Sequence, residues 1–190
     1  IGKIGLIDND IVNLSNIHRQ SLFTSKDIKK SKVSVAAKKL REINPSTEIK
    51  TYKSRLDRSN IKNIIKNYEI IIDGSDNFKT KFLINDYCKK LKKKLVTGAI
   101  SKFDGHVFTF DFNDRKTASL KNFYQENEIS DNDLNCEFEG VLGTTASIVG
   151  TTQANEALKM IMKIGQTLKN QILIIDLLNL NFRKVKFNRK

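Results

Sequence analysis

The chain has 190 residues, of which 39% are hydrophobic and 29% are charged, a balance that is ordinary for one globular domain with a hydrophobic core. Its formal net charge is +13 at pH 7. No apolar run approaches the roughly 18 residues that span a bilayer, and no signal peptide is visible. We therefore expect a cytoplasmic protein that does not associate with membranes.

The charged residues and the cysteines narrow the classes of partner and metal. The 34 basic residues are spread along most of the chain, without an aromatic platform or an RNA-binding signature beside them. An acidic protein is therefore favoured over nucleic acid as a partner. Cys88 and Cys136 lie far apart and form no C-x-x-C pair, which excludes a disulfide framework and argues against a cysteine zinc site.

The first hundred residues predict alternating strands and helices. Apolar runs indicate strands, and 3.6-residue spacing indicates helices between them. In chain order these elements are a strand at Ile4–Ile7, a helix capped by Ser31 that runs through Ile43, a strand at Glu48–Tyr52, a helix capped by Asp57 or Ser59, a strand within Glu69–Asn77, a helix at Phe78–Lys92 and a strand at Lys94–Ile100. This order is typical of a parallel sheet with crossover helices.

The second half of the sequence has a different pattern. DGHVFTFD alternates apolar and polar residues, as a half-exposed strand does, and residues 113–139 form a long polar stretch that we interpret as a mobile crossover loop. One long helix over 140–163 follows, and then two strands around a turn at Leu178–Asn181. We predict a single α/β domain over 1–190: a Rossmann-like sheet, parallel in its first half and antiparallel in its second, with helices on both faces.

Carboxylates follow two of the predicted strands. Asp8 and Asp10 come after the first strand, and Asp73 and Asp76 come at the end of the strand in EIIIDGSDN. Because the carboxyl ends of parallel strands share one edge of a sheet, these acids can line one crevice. Asp8 suits a contact with ribose hydroxyls. A solvated turn carboxylate is the alternative interpretation, and for Asp10 the two alternatives are equally open.

Two cations near these acids can meet phosphate groups. Arg19 offers a planar fork, and Lys32 offers a point charge at the start of a helix. The helix dipole disfavours a cation there by ~0.3–1 kcal/mol, so a bound anion would explain Lys32 better than an empty surface does. An ordinary surface lysine is the alternative. Asn16 and Gln20 can hydrogen-bond either a ligand or their own turn.

Five segments in order resemble the ThiF/MoeB/HesA family, the bacterial relatives of ubiquitin-activating enzymes. They are LIDNDIVNLSNIHRQSLF, SKVSVAAKKLREINP, IIDGSDN, VTGAISKFDGHVFTF and NCEFEGVLGTTASIVGTTQANEALKM. The resemblance implies an adenylyltransferase that uses ATP and Mg²⁺ to activate the C-terminal Gly-Gly carboxylate of a ubiquitin-like sulfur carrier. The carrier would be of the ThiS or MoaD type, in thiamine or molybdopterin biosynthesis, and the enzyme would be a homodimer.

The resemblance also implies a role for each matching residue. Asp8 would hold the ribose with Asp10 beside it, and Asp76 would hold Mg²⁺. The triphosphate would be held by Asn16, Arg19 and Lys32, with Gln20 and Asn77 as further nucleotide-binding residues. Arg19, Lys32 and Asp76 would be catalytic, and Cys136 would take part in sulfur transfer, with an unreactive packing role as its alternative. Cys88 is expected to be a packing residue.

The sequence departs from the family pattern in two places. Many members hold zinc with paired C-x-x-C motifs, whereas this chain has Thr117–Leu120 in the corresponding region, so we expect no zinc and a loop without that staple. The glycine-rich turn of the family would lie upstream of Ile1. We therefore expect either a fragment of a longer protein or a short gene product with poor ATP affinity.

Three other functions stay open at this point. The first is a non-catalytic subunit that docks the carrier through its basic surface. The second is an NAD-dependent oxidoreductase, which the missing G-x-G-x-x-G and the Arg19, Lys32 and Asp76 set disfavour. The third is the branch of the family that adenylates a tRNA base, which would explain the charge but fits VTGAISKFDGHV less well.

Overall fold

The computed structural model describes residues 1–124 and 140–187. The chain divides into two compact units, Ile1–Asp57 and Arg58–Lys190. Within the described residues, no helix is both long and apolar enough to cross a membrane.

The first unit is a βαβ arrangement with one long helix. Its two strands are parallel, with Leu6 opposite Thr51. Its elements are β1 Lys3–Ile7, α1 Leu14–Ile17, a 3-10 turn at Ser25–Asp27, α2 Lys32–Ile43 and β2 Glu48–Tyr52. Helix α2 ends at Ile43, and its C-cap Asn44 has an extended backbone, because the following Pro45 disfavours the helical conformation at the residue before it. Its buried face is apolar and consists of Val33, Val35, Ala36 and Ala37.

The second unit is a five-stranded sheet with helices. Its elements are α3 Ile61–Ile65, β3 Ile70–Asp73, α4 Phe78–Lys90, β4 Lys94–Ser101, β5 Asp104–Asp111, a 3-10 turn at Leu120–Asn122, α5 Gly143–Met162, β6 Gln171–Asp176 and β7 Asn181–Lys186. The strand order is β3-β4-β5-β6-β7. Strand β3 is parallel to β4, and the later neighbours are antiparallel. The predicted change from parallel to antiparallel pairing is therefore confirmed.

Helices α4 and α5 cover opposite faces of this sheet. Val149 and Gln153 of α5 face Gly98 of β4. Lys81 of α4 bonds to the same carboxylate oxygen of Asp73 as the Thr97 side chain of β4 does, on the other face of the sheet. Successive side chains of a strand point to opposite faces of the sheet, so the neighbouring residues Thr97 and Gly98 of β4 face different helices. A buried apolar cluster under α5 consists of Val96, Val107, Val149, Ala157, Met160, Leu168 and Ile175. The prediction of helices on both faces is confirmed.

The described part of the predicted 113–139 loop is packed within the second unit. Thr117, Ala118, Ser119 and Leu120 are buried, and the Leu120 N–H donates to Oδ1 of buried Asn85 at 3.0 Å. Side-chain hydrogen bonds thus hold main chain that the sequence pattern leaves irregular. Residues 125–139, and Cys136 with them, lie outside the described residues. The mobility of the loop and the single domain over 1–190 therefore stay predictions.

Candidate active site

The turn after β1 is organised by its own carboxylates. The Asp8 N–H continues the ladder by donating to the Tyr52 carbonyl at 3.2 Å. The Asp10 N–H donates to Asp8 Oδ1 at 2.8 Å, and the Ile11 N–H donates to Asp10 Oδ1 at 3.0 Å. One oxygen of each carboxylate therefore bonds to the main chain of the turn, and the bond of Asp8 is that of an Asx turn. The interpretation of Asp8 and Asp10 as turn carboxylates therefore accounts for the Oδ1 atom of each side chain.

Lys32 is tied to Asp10 by both its side chain and its backbone. Its Nζ lies 2.6 Å from Asp10 Oδ2, and its N–H donates to the Asp10 carbonyl at 3.0 Å. The Lys32 side chain is 11% exposed, and that of Asp10 is 49% exposed. The ammonium group lowers the pKa of Asp10 below its ordinary value, chiefly through this hydrogen bond. The anion expected near Lys32 is thus supplied, at least in part, by the chain itself.

The side chain of Asn16 supports the short helix α1. Asn16 is buried, and its Oδ1 accepts the Asn13 N–H at 3.4 Å as half of a capping box. Its carbonyl accepts the N–H groups of Arg19 at 3.1 Å and Gln20 at 3.0 Å. Of the two interpretations of Asn16, a ligand contact or a bond within its own turn, the bond within the turn is the one seen here. Asn16 also places the two following polar residues.

Arg19 and Gln20 retain hydrogen-bonding groups that can serve a ligand. Arg19 is partly buried and donates through Nη1 to the Ser15 carbonyl at 2.7 Å. A guanidinium carries five N–H donors, so this bond uses only a part of its fork. The Gln20 Oε1 is buried, and it has no hydrogen-bond partner within the described residues. A buried acceptor of this kind costs free energy until it meets a donor.

In the second unit, Asp76 and Asn77 lie in the turn between β3 and α4. Asp76 is exposed, and its Oδ1 accepts the Asn77 Nδ2–H at 3.1 Å. The Asn77 Oδ1 accepts the Thr80 N–H at 2.9 Å, so Asn77 is the N-cap of α4. The cap satisfies one of the N–H groups that a helix start leaves without partners. Asn77 thus has a structural role next to its predicted nucleotide-binding role.

A buried polar cluster below this turn was missed by the sequence analysis. It consists of Asp73, Lys81, Thr97 and Gln153, all of which are buried. One sequence signal for it exists: Lys81, Asn85 and Cys88 follow the i, i+4, i+7 spacing of a single helix face. A lysine in the same stripe as buried residues predicts a buried partner for its charge. The partner itself comes from β3 and is set by the fold.

The predicted site residues fall in both units. Asp8, Asp10, Asn16, Arg19, Gln20 and Lys32 belong to the first unit, and Asp76 and Asn77 belong to the second. The first six lie in the turn after β1, in or after α1 and at the start of α2, and the other two lie between β3 and α4. Their assignment to one nucleotide site stays a prediction, as does the role of Cys136.

Parallel strands joined by helices, with polar side chains after the carboxyl ends of the strands, define the Rossmann-like class of α/β fold. Residues 1–190 match the model of the ThiF family, and the chain belongs to that family. The family resemblance seen in the sequence is confirmed.

Curated relatives cover nearly the whole chain. It is 35% identical over 192 residues to the sulfur carrier protein adenylyltransferase of Thermus thermophilus, and the match covers 100% of this chain and 71% of that protein. It is 41% identical over 187 residues to a probable molybdopterin-synthase adenylyltransferase of Porphyra purpurea, and the match covers 98% of this chain and 48% of that protein. The chain spans about half the length of several of these relatives.

Solved structures share the fold at low sequence identity. Escherichia coli MccB with ATP superposes with a TM-score of 0.85 at 20% identity, covering 100% of this chain and 57% of that chain. The protein PaaA superposes with a TM-score of 0.80 at 20% identity, covering 100% of this chain and 58% of that chain. These similarities confirm the Rossmann-like mixed α/β fold.

Proposed function

We propose that this chain provides the nucleotide-binding part of an ATP-dependent adenylyltransferase that activates the C-terminal Gly-Gly carboxylate of a ubiquitin-like sulfur carrier. The observation that carries the proposal is the match over the full chain to the ThiF family. The 35% identity to a relative named as a sulfur carrier protein adenylyltransferase supports it. The relatives named for molybdopterin synthase make a MoaD-type carrier the first to test, and a ThiS-type carrier the second.

The proposed reaction joins two anions. A carboxylate oxygen of the carrier attacks the α-phosphorus of ATP, the bond from that phosphorus to the α–β bridging oxygen breaks, and pyrophosphate leaves with the electron pair. The carrier is left as an acyl adenylate. Because a carboxylate must approach a phosphate, catalysis depends on positioning and on charges that neutralise the transition state. Arg19 and Lys32 are the cations that we assign to this role, and Asp8 is the acid that we assign to the ribose.

Mg²⁺ fits the chemistry of the assigned residues. Within the described residues, no group of three or more His, Cys, Asp or Glu side chains could hold a metal alone. Mg²⁺ is commonly bound through one or two carboxylates together with the phosphates of its nucleotide. Asp76 is an exposed carboxylate of this kind. Bound there, Mg²⁺ would neutralise phosphate oxygens.

The edge of the five-stranded sheet offers a surface for an acidic carrier. All six residues of β7 are exposed. Phe182 and Val185 give this strand apolar area, with 53% and 36% exposure, and Arg183, Lys184 and Lys186 give it positive charge. An exposed strand edge is a common docking site for another chain. We assign carrier docking to β7 on this basis, and we retain the homodimer usual in the family as part of the proposal.

The test mixes the natural full-length protein with ATP, Mg²⁺ and each candidate carrier ending in Gly-Gly. We expect ATP–pyrophosphate exchange that depends on the carrier, and a carrier whose mass rises by one AMP. Asp76→Asn should lower the exchange rate by about 10²–10³-fold, the usual effect of losing one well-placed charge-stabilising group. Asp86→Asn, at an exposed position of α4, is the matched control and should exchange normally.

Two results would replace the proposal. Carrier binding without pyrophosphate exchange would favour a non-catalytic docking subunit. Transfer of AMP to tRNA, with none to either carrier, would favour the tRNA-adenylating branch of the family. Near-normal exchange in Asp76→Asn would remove the assignment of Asp76 while leaving the function in place.

A further inference from the structure

The carboxylate of Asp73 connects the turn between β3 and α4 to the body of the second unit. Its Oδ1 accepts the N–H of Ser75 at 2.9 Å and the hydroxyl of Ser75 at 2.6 Å. Its Oδ2 accepts the Thr97 hydroxyl at 2.6 Å and the Lys81 ammonium at 3.3 Å. Its carbonyl accepts the Gln153 Nε2–H at 2.8 Å. Asp73 is therefore hydrogen-bonded to the turn between β3 and α4, and also to α4, β4 and α5.

Lys81 is bonded to both residues that flank the segment Gly74–Asp76. Its N–H donates to the carbonyl of Asn77 at 3.2 Å, at the end of the turn. Its Nζ reaches back to the carboxylate of Asp73, at the start of the turn, and also donates to the Gly98 carbonyl at 2.5 Å. The backbone N–H of Lys81 thus contacts one end of the segment that carries Asp76, and its side chain contacts the other end.

The burial of Lys81 separates it from the other lysines. Its side chain is 4% exposed, and within residues 1–124 and 140–187 it is the only lysine or arginine in the buried class. An ammonium group at such a position needs an anion and further acceptors, which Asp73 and Gly98 supply. Its charge is therefore used inside the second unit, and Lys81 is excluded as a direct phosphate ligand in this arrangement.

We infer that Lys81 and Asp73 form a positioning pair that holds the Gly74–Asp76 segment and thereby places the carboxylate of Asp76. The inference about the segment stands on the contacts alone. Its consequence for catalysis rests on the proposed function, in which Asp76 holds Mg²⁺. Neither member of the pair contacts the nucleotide in this account. A displacement of about 1 Å at a reacting group can cost about 10²-fold in rate, so a remote pair of this kind can control activity.

The test compares Lys81→Met with Lys79→Met, a change of an exposed lysine two residues earlier on α4. Lys81→Met removes one charge of a buried pair and can prevent folding. Two further variants cover that outcome: Asp73→Asn with Lys81→Met, which removes both charges together, and Ser75→Ala, which removes one bond to the turn and uncovers no charge. Circular dichroism and thermal unfolding establish which variants are folded.

Two readouts are measured on the folded variants. The first is the exchange rate of the amide at position 75 by NMR, corrected for the intrinsic rate of the residue there, which needs no enzymatic activity. We expect it to rise at least tenfold in the double variant, in Ser75→Ala and in Lys81→Met if that variant folds, and to stay unchanged in Lys79→Met. The second is the Mg²⁺ dependence of pyrophosphate exchange; we expect the half-saturating Mg²⁺ concentration to rise about tenfold or more, with a smaller change in the KM for the carrier. A merely structural role would lower the active fraction and leave both half-saturation values unchanged.

The outcomes separate this inference from the proposed function. An unchanged exchange rate of the amide at position 75 in both the double variant and Ser75→Ala would overturn the positioning pair whether or not the protein adenylates a carrier. A faster amide together with an unchanged Mg²⁺ dependence in an active protein would overturn its link to Asp76. If no protein, wild type included, shows exchange activity, the proposed function fails and the amide comparison still decides the inference.

Discussion

Asp10 and Lys32 lie 22 residues apart in the chain and share two bonds, one from the ammonium to Oδ2 at 2.6 Å and one from the N–H of Lys32 to the carbonyl of Asp10 at 3.0 Å. The side-chain pair brings a negative charge to the start of α2, where the helix dipole favours an anion and disfavours a cation. The acid therefore stabilises both the lysine and the helix end, and it fixes the position of the lysine side chain.

This pair predicts a measurable coupling between the two side chains. Urea unfolding of wild type, Asp10→Asn, Lys32→Met and the double variant at pH 7 should give a coupling free energy of about 0.2–1 kcal/mol, because the Asp10 side chain is half exposed and solvent screens the pair. Since the native pKa of Asp10 lies below its ordinary value, this stabilisation is present above pH ~4 and is lost as the pH falls through the native pKa. A coupling of zero at pH 7 would contradict the structural pair.

Asp27 predicts a second pH dependence within the first unit. Its Oδ2 accepts the Lys39 ammonium at 3.0 Å and the Thr24 hydroxyl at 2.8 Å. These bonds, that of Lys39 above all, hold the pKa of Asp27 well below its usual range. The native state therefore gains stability from Asp27 above pH ~4 and loses it as the pH falls further. Asp27→Asn should be less stable than wild type at pH 7, and the difference should shrink when unfolding is measured near pH 2. Glu42→Gln, at an exposed position of α2, is the control and should match wild type at pH 7.

The strands and long helices could be predicted from local pattern alone. The apolar run in EIIIDGSDN and the alternation in DGHVFTFD each become a strand, β3 and β5, because period and burial are local properties. The last two strands are also confirmed, with the turn occupying Leu177–Leu180, one residue before the predicted start. The start of a helix was harder to predict where several residues could cap it. Helix α3 begins at Ile61, after both of the predicted capping residues, Asp57 and Ser59.

The partners of the polar side chains could not be predicted in the same way. The sequence indicated an anion near Lys32 but could not show that Asp10 supplies one, because the contact depends on how β1 and α2 pack. Asn77 is an exception: it was predicted as a ligand residue, but the predicted helix start at Phe78 already makes an Asn before it a favoured N-cap. Lys81 was one of 34 basic residues; its helix face, shared with Asn85 and Cys88, hints at burial, but the fold alone brings Asp73 to it. Tertiary contacts decide these roles.

Two glycines should respond in opposite directions to alanine. A Cβ on Gly98 would lie 2.8 Å from Gln153 Cδ and 2.9 Å from Val149 Cγ1, so these two buried side chains, or the helix that carries them, would have to shift. Gly98→Ala should lower the free energy of unfolding by about 1–3 kcal/mol, the usual cost of overpacking. Gly150 lies inside α5 with nothing within 4 Å of the added Cβ. Gly150→Ala should raise the free energy of unfolding by about 0.5–1 kcal/mol, because alanine favours the helix. Equal effects of the two changes in urea unfolding would contradict the close approach at Gly98.

Cys88 should be inert in the folded protein. It lies on the buried side of α4 with 0% exposure, and burial raises the pKa of its thiol to about 12. The thiolate is the reactive form, so almost none is present at pH 8. Native protein treated with a thiol reagent at pH 8 should therefore show no label on the peptide that contains Cys88, and protein unfolded in guanidinium should show that label at once. Cys88→Ala should leave the native labelling unchanged, which separates Cys88 from Cys136. Rapid native labelling at Cys88 would show that α4 opens from the sheet on the timescale of the reaction.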